Sequence, residues 1–177
     1  MLLARNFDGY NASSLEEVNL SAVAWRVIAD NKVQASGIEL KCSTPKEDVI
    51  VDAHLNLVFE LLGNLVENAV KYTEAGTVSL DVSRSGNAAT IVVSDTGRGI
   101  SDEDRKHIFE RFYRSPSASD KSGNGLGLAT VREIAEGRYH GKVSCDSTLG
   151  KGTTFTVVLP LRQPKRRFWR RLLPLSA

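Results

Sequence analysis

Four side chains at helical spacing are the first residues in this chain that could do chemistry. In "VFELLGNLVENAVKYT", Asn64, Glu67, Asn68 and Lys71 fall at i, i+3, i+4 and i+7, a single polar stripe on an otherwise apolar helix. Asparagine is a poor helix former, so two on one stripe call for a reason beyond solvation. An amide oxygen is a neutral hard ligand for Mg²⁺ beside phosphate oxygens, and Lys71 would add positive charge one turn on. Further along, "IVVSDTGRGI" ends an apolar strand on Asp95, with Gly97 and Gly99 in the turn that follows. A carboxylate accepts without donating, which suits an exocyclic amine such as that of adenine. Taken singly, the two features also read as a solvated helix face and an Asp-Thr-Gly turn.

A third segment joins them. In "SDKSGNGLGLATVREI", Gly123, Gly125 and Gly127 alternate at the start of an amphipathic helix. A glycine inside a helix costs about 1 kcal/mol against alanine, and bare backbone N–H groups facing a phosphate would give that cost a purpose. The run lacks the Gly-Lys-Ser/Thr ending of a P-loop and the preceding strand of a dinucleotide fingerprint. With the stripe and the carboxylate it makes three pieces of one nucleotide site. Between them "YRSPSASDKSGN" is polar and aperiodic, the composition of a lid, with Arg114 and Lys121 as its cations. Arg114 is the one expected to reach a phosphate.

The elements that must position these groups follow from periodicity. A helix is predicted from Asn19 to Ser36, with Leu20, Val23, Val27 and Ile28 inward and Gly37 as its C-cap. Short strands fit 38–43 and 49–51. The stripe-bearing helix runs from about His54 to Tyr72, with Leu55, Val58, Phe59, Leu62, Leu65, Val66 and Ala69 on its core side. A hairpin is predicted over 77–83 and 89–94 around Gly86-Asn87, then a helix over 102–112. The glycine-started helix extends to about Glu136, and "KVSCDS" pairs with "TTFTVVLP" in a closing hairpin. Two helix-then-hairpin units predict an α+β fold. Its form is a two-layer α/β sandwich with one face of the sheet covered by helices.

Composition narrows the function classes. The 177 residues make one domain with an ordinary apolar fraction of 41%. No apolar run approaches the ~18 residues of a membrane span, and "MLLARNFDGY" is too short an apolar core for a secretory signal. Cys42 and Cys145 are far apart, suit neither a disulfide framework nor a metal site, and read as small buried strand residues. The net charge is +2, yet Lys165, Arg166, Arg167, Arg170 and Arg171 crowd the C-terminal end and leave −3 for the rest. That is not the pattern of a nucleic-acid-binding domain, whose cations occupy a folded face. The basic segment 165–173, with Phe168 and Trp169, reads as a solvated tail or as a weak contact with an anionic membrane surface.

In order, "NLVENAVKYT", "DTGRGI", "FERFYR" and "GNGLGL" resemble the N, G1, F and G2 boxes of bacterial sensor histidine kinases. These belong to the Bergerat-type ATP-binding fold shared with gyrase, the Hsp90 chaperones and mismatch-repair ATPases. The resemblance runs from about Asn19 to Pro160 and implies a mixed, mostly antiparallel sheet of about five strands, with ATP and Mg²⁺ as cofactors. By position it makes Asn68 the Mg²⁺ ligand with Asn64 beside it, and puts Lys71 and Tyr72 on the phosphates. Asn64, Glu67 and Lys71 become the catalytic set. Asp95 would bind the adenine amine, and Gly97, Gly99 and Ile100 would shape its pocket. Gly123, Gly125, Leu126 and Gly127 would hinge the lid and offer N–H groups, Arg114 would meet a phosphate, and Phe109 and Phe112 would anchor the lid by packing. One departure is "EGRYHGKV", where the family often has His-Gly-Gly and this chain is one residue longer, leaving the turn's register open.

The resemblance also bears on the reaction. Water-splitting members carry a glutamate four residues before the metal-binding asparagine; here that position is Asn64, which cannot take a proton from water. A histidine kinase module is therefore expected, with an ATP-hydrolysing clamp or an anti-sigma-type serine kinase as alternatives. His54, His107 and His140 precede Leu55, Ile108 and Gly141, so none is followed by the acidic residue of a phospho-acceptor. "LLARNFDG" resembles the last turns of a dimerisation hairpin, which implies a remnant over 1–14, a catalytic domain over 15–161 and a tail over 162–177. The expected partners are the acceptor hairpin of a parent kinase and, indirectly, a response regulator. The excised domain is expected to be a monomer, and its parent a membrane sensor with this part in the cytoplasm.

Overall fold

A computed structural model of the chain describes residues 15–116, 121 and 123–161. The expected hairpin remnant, the basic tail and part of the lid fall outside those residues. A short strand β1 (Glu16–Asn19) leads into α1 (Leu20–Asn31), then β2 (Ile38–Ser43), β3 (Ile50–Ala53) and the long α2 (Leu55–Tyr72). The hairpin β4 (Gly76–Ser85) and β5 (Ala88–Asp95) follows, then the single turn α3 (Asp102–Arg105). The chain ends with α4 (Gly127–Arg132), a π-helical continuation over Glu133–Arg138, and the hairpin β6 (Lys142–Thr148) and β7 (Gly152–Pro160). Five strands form one sheet in the order β2-β4-β5-β7-β6, in which only β2 and β4 run parallel. Helices cover one face, as the periodicity predicts.

The core lies between α1 and α2 and that face of the sheet. Leu57, Leu61, Leu62 and Leu65 of α2 are buried against Val78, Leu80, Ile91 and Val93. Each such side chain contributes about 1.5–3 kcal/mol relative to exposure. The inward face of α2 is wider than expected, because α1, α4 and the sheet all pack on it. Leu57, Leu61 and Val70 are therefore buried too, while Leu55 at the first turn is exposed and Phe59 only partly covered.

Several boundaries differ from expectation for local reasons. α1 ends at Asn31, not Ser36; Asn19 caps its start through Oδ1, and Gly37 sits in the turn before β2 with φ +83° rather than capping the helix. β1, absent from the sequence reading, exists because β3 offers it an antiparallel edge. The helix expected over 102–112 keeps only residues 102–105. Beyond them the chain turns, and Phe112 takes a left-handed φ of +63°. Cys42 and Cys145 are half-buried in β2 and β6 rather than buried, and loss of solvent pushes their thiols up to about 11 and about 12.

The departure at "EGRYHGKV" has a structural counterpart. The chain makes a π-helical turn here, where Tyr139 N–H donates to Ile134 O and Gly141 N–H to Ala135 O. His140 then adopts φ +52°, a conformation that costs a non-glycine residue about 1–2 kcal/mol. His140→Gly is accordingly expected to stabilise the fold by about 1 kcal/mol, read as an upward shift of the denaturation midpoint. The same turn delivers Tyr139, buried, to the start of α2, where its hydroxyl accepts from His54 N–H at 2.9 Å. Tyr139→Phe leaves that buried N–H without its acceptor, and a loss of about 1–3 kcal/mol of unfolding free energy is expected.

Candidate functional site

The C-terminal half of α2 turns its polar stripe toward a cleft of about 520 Å³, the size of a small-ligand site. Asn64, Glu67, Asn68, Lys71 and Tyr72 form one wall. Gly123, Gly125 and Gly127 face them, and Ile100, Ile108 and Leu128 supply apolar surface. Arg114 closes one side between Tyr113 and Ser115. Ten of the residues singled out in the sequence thus meet at one place: Asn64, Glu67, Asn68, Lys71, Tyr72, Ile100, Arg114, Gly123, Gly125 and Gly127.

The amides are set up as ligands. Asn64 Nδ2 donates back to Glu60 O at 2.8 Å, which points Oδ1 the other way. A methyl group placed on Gly127 would stand 3.0 Å from that oxygen and 3.8 Å from Asn68 Nδ2. Glycine here leaves the space between helix and loop open. The Asn68 side chain makes no hydrogen bond among the described residues, so its carboxamide is uncommitted. A methyl on Gly123 would come within 2.8 Å of Lys71 Nζ, which places that cation beside the glycine segment. Gly125 is fixed by backbone geometry: its φ is +69°, its carbonyl accepts from Phe112 N–H at 2.9 Å, and a Cβ would press on Phe112 and Tyr113.

Asp95 occupies the end of the central strand, between Val78 of β4 and Thr153 of β7. Its Oδ1 accepts from Gly97 N–H at 2.8 Å and Thr153 N–H at 3.3 Å, while Oδ2 takes no bond among the described residues. Burial raises its carboxyl above the ordinary aspartate range, against the pull of those two N–H groups. The buried Thr73 hydroxyl, which has no hydrogen-bond partner among the described residues, stands beside it around Gly97. Two polar groups with spare capacity at the end of a β-strand fit a ligand that can donate to them.

Some expected positions differ. Asp95, Gly97, Gly99 and Leu126 do not line the cleft. Gly97 lies on a neighbouring shallow groove with Tyr72, Thr96 and Arg98, and its Cα packs against the Tyr72 carbonyl with no room for a side chain. Gly99 packs against the Thr148 carbonyl, so its role is to let the β6–β7 turn approach. Phe109 packs edge-on against Phe155, with ring centroids 6.2 Å apart, as an anchor should. Phe112 does not: its left-handed backbone turns the ring outward, 71% exposed. Gln34, Tyr113, Ser115 and Asn124 line the cleft without having been singled out. Adjacency to Arg114 was a signal for two of them; Gln34 had none, since the sequence reading placed it in the helix over 19–36 whereas α1 ends at Asn31 and Gln34 lies in the turn beyond.

An amide-bearing helix thus faces bare glycine backbone across a cleft on a two-layer sandwich, with Tyr72 shared between that cleft and the neighbouring groove. Residues 53–163 match the family described as histidine kinase-, DNA gyrase B- and HSP90-like ATPase, and the chain belongs to that family. Within it the chain is of the sensor histidine kinase catalytic type. It is 36% identical over 166 residues to the sensor protein kinase PmrB of Pseudomonas aeruginosa, covering 93% of this chain and 35% of PmrB. Among solved structures it resembles the mycobacterial sensor histidine kinase MprB with a TM-score of 0.75 and 28% identity, over 84% of this chain and 100% of that one. Full-length ShkA in complex with AMPPNP gives a TM-score of 0.75 and 31% identity, over 85% of this chain and 32% of ShkA. The chain spans about a third of the length of the PmrB relative and 22% of the WalK relative from Bacillus subtilis. Among the described residues no helix is long and apolar enough to cross a membrane.

Proposed function

We propose that the cleft binds Mg-ATP and that the chain transfers the γ-phosphoryl group to a histidine on the helical hairpin of a sensor kinase. The observation that carries this reading is Asn64: the group facing Gly127 is an amide with its nitrogen tied to Glu60 O, not a carboxylate able to deprotonate water. Asp95 Oδ2 accepts the adenine amine, and Ile100 packs against the base. Lys71 and Arg114 take the phosphate charge, with the N–H groups of Gly123, Gly125 and Gly127 beside them; the Leu126 N–H donates to Asn124 Oδ1 instead, at 3.2 Å. Among the described residues no group of three His, Cys, Asp or Glu side chains could hold a metal alone. A magnesium ion would be held by Asn68 with Asn64 nearby, hard neutral amide oxygens that suit it beside phosphate oxygens and water. When bound, it supplies neutralisation of phosphate charge.

The chain's own contribution is positioning and electrostatics. An imidazole nitrogen of the acceptor forms the new N–P bond as the bond from phosphorus to the ADP oxygen breaks. Glu67, exposed at the rim of the stripe, is the carboxylate available to assist the acceptor. On this reading a response regulator is met downstream, the parent is a membrane sensor with this domain in the cytoplasm, and the isolated domain is monomeric. The test mixes the chain with Mg-ATP and a purified sensor-kinase hairpin. Acid-labile, base-stable phosphate on the hairpin is the expected result; steady phosphate release without an acceptor would point instead to an ATP-hydrolysing clamp.

A further inference from the structure

Asp104 does not line the cleft, yet three hydroxyls converge on its carboxylate. Tyr113 donates to Oδ1 at 2.6 Å, and Ser115 and Ser101 donate to Oδ2 at 2.7 and 2.9 Å. Ser101 belongs to the N-cap of α3 and also accepts from Asp104 N–H at 3.1 Å. Tyr113 and Ser115, by contrast, come from the segment that closes the cleft, and they flank Arg114. The base beneath is firm: Ile108 is buried, its N–H donates to Asp104 O at 3.1 Å, and Phe109 packs on Phe155.

Resting on the reading of Arg114 as a phosphate-binding residue, we infer that Asp104 is a positioning residue. It clamps the residues on both sides of Arg114 and so aims the guanidinium into the cleft. Arg114 is exposed, and its Nη2 donates to Lys121 O at 2.6 Å across the glycine side, so its placement depends on its neighbours' side chains. Short hydrogen bonds from hydroxyls to a charged carboxylate are among the stronger ones available to a surface segment. The clamp holds through neutral pH: the Tyr113 and Ser115 hydroxyls keep the Asp104 carboxyl below the ordinary aspartate range, and Asp104 in turn pushes the Tyr113 phenol up to about 12.

The alternative is a carboxylate that merely stabilises α3. A double-mutant cycle on the full 177-residue chain separates the two, with calorimetric affinities for Mg-ATP and for adenosine, which carries no phosphate. Arg114→Ala is expected to weaken Mg-ATP on the order of tenfold, the effect of losing a hydrogen bond to a charged group. Asp104→Ala should weaken it by roughly half that factor or more, and the double variant should bind no more weakly than Arg114→Ala alone. Adenosine affinity should be unchanged throughout. The pair Tyr113→Phe with Ser115→Ala removes the clamp, spares the Ser101 cap, and should reproduce Asp104→Ala even if the latter folds poorly. Multiplying losses in the double variant, or an equal loss for adenosine, would overturn the inference alone. Native-like Mg-ATP binding by Arg114→Ala would overturn it together with the reading on which it rests.

Discussion

Asp95→Asn is expected to bind ATP on the order of 100-fold more weakly than the native chain while melting no lower in the absence of nucleotide. The binding loss follows from polarity. An amide presents either a donor to the adenine amine or an oxygen without the charge that strengthens the bond, and bonds to charged groups contribute about 1.5–3 kcal/mol. The stability half follows from burial. A carboxyl whose folded pKa is raised contributes stability that is present at low pH and lost as pH rises through that pKa. At neutral pH the ionised Asp95 is therefore a cost to the empty fold. An asparagine oxygen still accepts from Gly97 and Thr153 N–H, so it removes that cost and keeps the frame. Calorimetry and a thermal melt on the same preparation check both halves. Native-like ATP affinity in the folded variant would refute the assignment of Asp95 to the adenine end, and a lower melting temperature would refute the stability half.

Asn68→Ala should lower phosphoryl transfer by about 10²–10³-fold, the scale seen when one group that stabilises developing charge is removed. The Asn68 side chain makes no hydrogen bond among the described residues, and alanine is the better helix former, so the melting temperature should stay level or rise slightly. The informative comparison is with and without magnesium. Affinity for ATP in excess EDTA should match the native chain, whereas the gain on adding Mg²⁺ should shrink. A full magnesium-dependent gain in the variant would remove Asn68 from the metal site. Both substitutions describe residues kept at some expense to the empty fold, as expected of groups placed for a ligand.

The legible parts of this protein were those with local causes. The polar stripe of α2 declares itself because helical spacing alone puts Asn64, Glu67, Asn68 and Lys71 on one line. Asp95 is visible because an apolar strand runs into a glycine turn, and the sheet follows from alternation in β4 through β7. What escaped depends on contacts distant in sequence. Gln34 reaches the cleft only because the turn after α1 is carried alongside the end of α2. Phe112 looks like a packing residue by type, and a left-handed backbone turns it outward. Gly97 and Gly99 look like pocket glycines, whereas their lack of a side chain serves the carbonyls of Tyr72 and Thr148. The register of "EGRYHGKV" required the π-helical turn to be seen.

Calorimetric titration of the chain with ATP, with and without magnesium, tests the convergence of these segments most directly. One saturable site per chain is predicted, tightened by Mg²⁺, with the base-dependent part abolished by Asp95→Asn and the metal-dependent part by Asn68→Ala. No saturable uptake by folded protein, or uptake indifferent to both substitutions, would contradict it.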